Sequence, residues 1–251
     1  MLKADRFGAR EGRRFLAWTA VSFAAMLFCY AFVDRPLATF LHGFLADRHV
    51  FVLIARDLIL PTLLAVCLVI ALASAYLMGW PTDPALRALV RVVLIAAIAL
   101  CVAENAKDII KYMVGRTWPE TLFWHNPSWN ENGVYAFAPF HGGLGFESFP
   151  SGHTTALMTL ASVLACAFPR WRALWMLPVA LVALALVATD IHWLSDVIGG
   201  AYLGSLCGFG VARVARLEPI VFAARGREAG ADEATGGALE PAAERASEPA
   251  E

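Results

Sequence analysis

Apolar residues run along this chain in stretches of about twenty, with polar residues collected between them. A hydrocarbon core of about 30 Å takes about 20 apolar residues as helix. Six stretches meet that length, at 15–33, 58–79, 88–112, 152–168, 173–190 and 195–214. The fifth, "ALWMLPVALVALALVAT", is interrupted only by Pro178, which neighbouring helices accommodate in a membrane. The pattern predicts an all-α membrane protein, a six-transmembrane-helix bundle. The basic segment ahead of the first stretch leads into about 18 apolar residues without a small-residue cleavage pattern, so that stretch is expected to remain as a span.

Basic residues set the expected orientation. Lys3, Arg6, Arg10, Arg13 and Arg14 precede the first stretch, and Arg87 and Arg91 lie between the second and third. Arg170 and Arg172 separate the fourth and fifth, and Arg213, Arg216, Arg225 and Arg227 close or follow the sixth. In a six-span chain these fall on one side, which the positive-inside rule makes cytoplasmic. The expectation is a multi-pass protein of the inner (cell) membrane with both termini in the cytoplasm.

Two connections on the opposite, periplasmic face are long. Residues 34–57 are expected to include an amphipathic interfacial helix. Residues 113–151 form a long loop between helices 3 and 4, rich in Trp, Phe and Tyr. That density suits the headgroup layer or a small folded cap, and the two readings are compatible. Residues 1–218 read as the six-span domain. Residues 219–251 turn to Ala, Glu and Gly, which predicts a disordered cytoplasmic tail.

Composition agrees with a membrane setting. The chain is 59% hydrophobic and 16% charged, with a net charge of −1 that argues against nucleic acid as a partner. Its five cysteines, all within apolar stretches and far apart, read as buried thiols. Oligomeric state is left open.

Against this background, "VATDIHWLSDVIGG" (187–200) is unusual, because ionisable groups inside a membrane are costly. Placed on the span map, three segments bring polar residues to the outer face. Lys111 and Arg116 end the third span, "FPSGHTT" opens the fourth, and "DIHWLSD" joins the fifth to the sixth. Ser151 stands where a helix cap would, and Gly152 admits a ligand to the backbone. The free N–H groups beyond them make an anion site. His192 and Asp196 are four apart and are expected to pair. Two cations and a helix N-terminus would bind a phosphate, one histidine would attack it and another would protonate the leaving oxygen. Asp190, Asp196, Glu120, Glu131 and Glu147 look scattered, so neither a metal nor another cofactor is expected. Asp190 reads as a solvated helix-end residue. Glu104 with Lys107, and Asp108 with Lys111, are expected to neutralise one another beneath the site. Gly200, Gly204 and Gly208 predict close helix packing.

"FPSGHTT" and "HWLSDVIGG", preceded by a Lys/Arg segment at a span end, resemble the type 2 phosphatidic acid phosphatase family over roughly residues 60 to 212. The resemblance implies six membrane helices and a metal-independent lipid phosphate or diphosphate phosphatase acting through a phosphohistidine. It implies His192 as nucleophile, Asp196 as its partner and His153 as general acid, with Lys111, Ser151 and Gly152 binding phosphate. Two signature arginines are absent, because Trp118 and Leu186 stand at their positions. Arg116 is the nearby candidate to replace them. The alternatives are a phosphotransferase with another acceptor and a non-catalytic lipid-phosphate binder or transporter. In each case the expected partners are a lipid phosphate and the bilayer.

Overall fold

The computed structural model describes residues 2–42, 68–69, 71–121 and 125–220. It is helical, and among the described residues the only β pairing consists of isolated bridges. The chain begins with α1 (Leu2–Phe28), passes through a π-helical turn (Cys29–Val33) and continues as α2 (Asp34–His42). Pro36 explains the turn. Having no N–H, it cannot bond the carbonyl four residues back, and just ahead of it the ladder slips, with the Asp34 N–H bonding the Cys29 carbonyl. The first helix therefore runs on to His42, where the sequence had suggested that an outer loop begins at residue 34.

Next come α3 (Pro84–Val114), the short α4 (Trp129–Asn132), α5 (Gly152–Ala167), α6 (Arg172–Ala188) and α7 (Leu194–Val214). The start of α3 is built from two local devices, the Asp83 carboxylate accepting from the Leu86 N–H at 2.8 Å and Pro84 in the first turn. Its end is Gly115, left-handed at φ 60°. A Cβ there would lie 1.8 Å from the Ala138 carbonyl oxygen, so only glycine lets the following segment fold back over the helix end.

Among the described residues, four helices are long and apolar enough to cross a membrane: Arg10–His42, Pro84–Val114, Pro169–Ala188 and Leu194–Val214. Expected span 58–79 falls largely outside the described residues, although 71–77 are helical. Expected span 152–168 appears as α5, apolar but only 16 residues long, about 24 Å at the usual helical rise. It packs against α3, α6 and α7, and Thr154, Thr155, Thr159, Ser162 and Val163 are buried within the protein. By contrast, α1, α3 and α6 expose Phe23, Leu27, Ile98, Val102, Leu177 and Leu181, a distribution suited to lipid. Residues 221–251, most of the expected tail, lie outside the described residues.

The closest helix pairing is α5 on α7, and the glycine spacing accounts for it. A Cβ on Gly204 would lie 2.4 Å from the Thr155 carbonyl oxygen, and one on Gly208 would lie 2.5 Å from that of Thr159. Small residues four apart let the two backbones touch. Gly204→Ala is expected to destabilise the fold by about 1–3 kcal/mol through overpacking. Gly210→Ala is the control, since nothing lies within 4 Å of the added methyl. Thermal unfolding in detergent decides, and equal midpoints for the two variants would refute this packing.

Candidate active site

The polar residues singled out in the sequence gather at the end of the bundle where α3 finishes and α5 and α7 begin. α7 starts at Leu194 because the Asp196 carboxylate, in the first turn, accepts from the Trp193 N–H at 3.2 Å. The turn before it is pinned by one carbonyl: Leu186 O accepts from both Ile191 N–H (3.0 Å) and His192 N–H (3.1 Å). His192 lies two residues ahead of the helix, and its Nδ1 stands 3.4 Å from Asp196 Oδ2. The same oxygen accepts from the Ser148 hydroxyl at 2.5 Å. The other Asp196 oxygen, Oδ1, takes Arg116 Nη1 at 2.5 Å.

His192 is only 4% exposed, and the Trp118 ring lies 5.0 Å from its own, centroid to centroid. Burial pushes the His192 pKa below the ordinary imidazole value; Asp196 resists the shift and the Lys111 charge adds to it. His153 comes from the first turn of α5, on the open side, within charge–charge range of His192 and Lys111. Lys111 is half-buried near the end of α3, its Nζ 5.9 Å from the Trp118 ring centre, and makes no ion pair among the described residues. The expected pairing one turn earlier is rearranged: Lys107 takes both Glu104 (2.5 Å) and Asp108 (3.2 Å).

Ser151 occupies the N-cap position of α5, but its hydroxyl does not cap the helix. It pairs instead with Thr154 Oγ1 at 3.1 Å, while the Ser151 N–H donates to the Asp196 carbonyl at 3.1 Å. Among the described residues no side chain therefore caps the first turn, whose N–H groups lack intrahelical partners. Gly152 gives room beside them for Lys107, whose Nζ would lie 3.7 Å from an added Cβ.

Arg116 is placed differently from the sequence expectation. It is 2% exposed, beneath the histidine layer, with both terminal nitrogens engaged by protein oxygens. Nη1 bonds Asp196 and the Ser195 hydroxyl (2.6 Å), and Nη2 bonds Asp34 Oδ2 (2.7 Å) and the Tyr135 hydroxyl (2.9 Å). Tyr30, Tyr135, Phe137 and Trp193 surround the guanidinium, with ring centres 5.3 to 5.5 Å away. Burial opposes its charge, but Asp196 and Asp34 outweigh burial and hold its pKa above the usual value. Trp118 and Leu186, at the two positions where the resemblance would put arginine, are both buried. Trp118 Nε1 donates to the Leu144 carbonyl at 2.7 Å.

Asp34, Ser148, Ser195 and Tyr135 join the site without warning from the sequence. Asp34 ends an apolar stretch beside Arg35, an ordinary place for an interfacial charge, and its partner Arg116 is 82 positions away. Asp190 needs a correction. It is buried rather than solvated, held at a left-handed φ of 55°, with Oδ2 at 3.2 Å from both His42 Nδ1 and Asn130 Nδ2. Nor are the acidic residues all scattered: Glu120 Oε2 also lies 3.1 Å from His42 Nδ1. His42, Glu120 and Asp190 each offer a ligand atom, all within 4.8 Å of one another.

Comparison with known proteins follows the same motifs. Lipid A 1-phosphatase of Rhizobium johnstonii is 33% identical over 98 residues, 39% of this chain and 37% of the relative. Lipid A 1-phosphatase of Rhizobium etli is 32% identical over 97 residues, 39% of each. The chain thus spans under two-fifths of the length of the curated relatives it matches. No solved structure matches. The PAP2 superfamily matches residues 88–218, which run from α3 past the end of α7 and contain Lys111, His153, His192 and Asp196. That is more than half of the chain, and the chain belongs to the PAP2 superfamily.

Proposed function

We propose that this protein is an integral-membrane lipid-phosphate phosphatase working through a phosphohistidine, without a metal, on the outer face of the inner membrane. The observation that carries the reading is the meeting of Lys111, His153 and the His192–Asp196 pair, from three separate segments, at one end of the bundle. With Nδ1 directed at Asp196, the ring nitrogen left to attack is Nε2. It forms a bond to phosphorus as the lipid oxygen leaves, and His153 gives that oxygen a proton. Water, deprotonated by His153, then cleaves the phosphohistidine and releases phosphate. Asp196 stabilises the positive charge that develops on the ring, as the third group of a triad does.

Lys111 and the uncapped N–H groups of α5, beginning at Ser151 and Gly152, form the phosphate cradle in this reading. Arg116, whose sequence position suggested a phosphate contact, we assign to holding Asp196, because its terminal nitrogens are already engaged. Trp118 and Leu186 then leave the cradle, among the described residues, with Lys111 as its one free cation, where the resemblance implied more. Of the lipid phosphates considered, a lipid A-type 1-phosphate is the favoured substrate class, since both similar proteins carry that name.

The test is phosphate release by the full chain in mixed micelles with phosphatidate, an isoprenyl diphosphate or lipid A as substrate, measured without and with a chelator. Wild type is expected to release phosphate from at least one lipid and His192→Ala from none. Equal release by the two would remove the enzyme reading, and loss of wild-type rate on adding chelator would remove the metal-free mechanism.

The pH profile follows from burial. The attacking form of His192 is neutral, and its pKa is held below 6.5, so protonation inactivates the enzyme only in more acidic solution. The acid limb of kcat/KM is therefore expected below pH 6.5, and a limb above that value would contradict the assignment. Arg116→Met leaves Asp34 and Asp196 buried without their shared cation. It is expected to cost about 3–5 kcal/mol of stability, read as a fall in the unfolding midpoint.

A further inference from the structure

The charges beneath His192 form a chain that begins on the first helix. Asp34, on α2, is 1% exposed. Its Oδ2 accepts from Arg116 Nη2 at 2.7 Å and from the Ser195 hydroxyl at 2.5 Å, and its Oδ1 accepts from the Ser195 N–H at 3.1 Å. On its other side, Arg116 reaches Asp196, whose second oxygen faces His192. One guanidinium charge is thereby divided between two carboxylates, in surroundings of aromatic rings where charge is weakly screened.

That division has a chemical consequence. An aspartate fully neutralised by a buried arginine would be a poor partner for an imidazole that must become positive as it attacks phosphorus. With Asp34 taking half of the cation, the Asp34–Arg116–Asp196 unit keeps a net charge of −1, and the oxygen facing His192 retains its field. We propose that Asp34 is a positioning residue for the reaction: it holds Arg116 in place and keeps Asp196 negative toward His192. The inference rests on the phosphohistidine reading above.

The other groups facing His192 are Lys111 from α3, His153 from α5, and the Trp118 ring and Ser148 from the segment between α3 and α5. None of them contacts Asp34 among the described residues. A change at Asp34 therefore reaches the imidazole through Arg116 and Asp196, or through Ser195 at the start of α7.

A purely structural role must be separated from this one, since Asp34 also receives the Ser195 N–H at the start of α7. Asp34→Asn keeps the shape and removes the charge. In the phosphate-release assay with chelator, kcat is expected to fall about 10- to 100-fold, the range seen when outer partners of an active group are lost. KM is expected to stay within about twofold because the phosphate cradle is untouched. The acid limb of kcat/KM should move to lower pH, because His192 loses negative field. Unchanged kcat with an unchanged limb overturns the proposal, and so does a lower kcat with an unmoved limb, which is the signature of packing alone.

The double variant Asp34→Asn/Arg116→Gln guards against misfolding, because it removes the cation together with one carboxylate and again leaves a net charge of −1. Its residual activity should show an acid limb at or above the wild-type position. A limb below it overturns the proposal even if Asp34→Asn alone fails to fold. Wild type no more active than His192→Ala would instead sink the functional reading and this inference with it. An active wild type beside an unaltered Asp34→Asn removes the inference alone.

Discussion

Arg116 is the point through which fold and site are joined. A guanidinium 2% exposed in a bundle of apolar helices is costly unless its donors are met. Here both terminal nitrogens are met from three directions, by Asp34 on the first helix, Tyr135 in the segment between α3 and α5, and Ser195 with Asp196 on the last helix, while Nε has no hydrogen-bond partner among the described residues. These elements are distant in sequence, and the shared cation ties them at the end of the bundle where the histidines lie. Four aromatic rings surround it, with centres 5.3 to 5.5 Å from the guanidinium carbon.

Asp196 shows how closely the two demands overlap. Its carboxylate starts α7 by accepting the Trp193 N–H, receives the Ser148 hydroxyl, pairs with Arg116 and faces His192. Its backbone carbonyl takes the Ser151 N–H, which fixes the start of α5 relative to the start of α7. The glycine and threonine stripe along these helices holds their backbones in contact from that point downward. A rigid pair of helices thus sets the separation between the turn bearing His192 and the first turn of α5 bearing His153. In the mechanism proposed above, that separation governs whether both histidines reach one phosphate.

Much of this was legible in the sequence. Four of the six expected spans correspond to long apolar helices, because burying twenty apolar residues in lipid depends on composition and little else. The glycines four apart announced close packing along α7 for a similar reason, since helical periodicity is local, but only the structure shows that α5 is the partner. His192 and Asp196 do meet, although at a helix entry rather than along one helix face. The length of the first helix was missed, because a π-turn at a proline carries the chain onward where a loop was expected. The position of Ser151 suggests a cap, and only the neighbouring Thr154 hydroxyl explains why it is not one.

The sequence by itself determined four long apolar helices, the family and the segments that carry Lys111, His153 and His192, since each follows from local pattern or from a contiguous motif. The tertiary structure decided what the charged residues touch. Whether Arg116 faces a phosphate or a carboxylate depends on Asp34 being brought across 82 positions, and whether Asp190 is solvated depends on His42 and Asn130 closing over it. Coulombic partners in a weakly polar interior are chosen by proximity in space, and proximity between remote segments is set by the packing of the whole bundle.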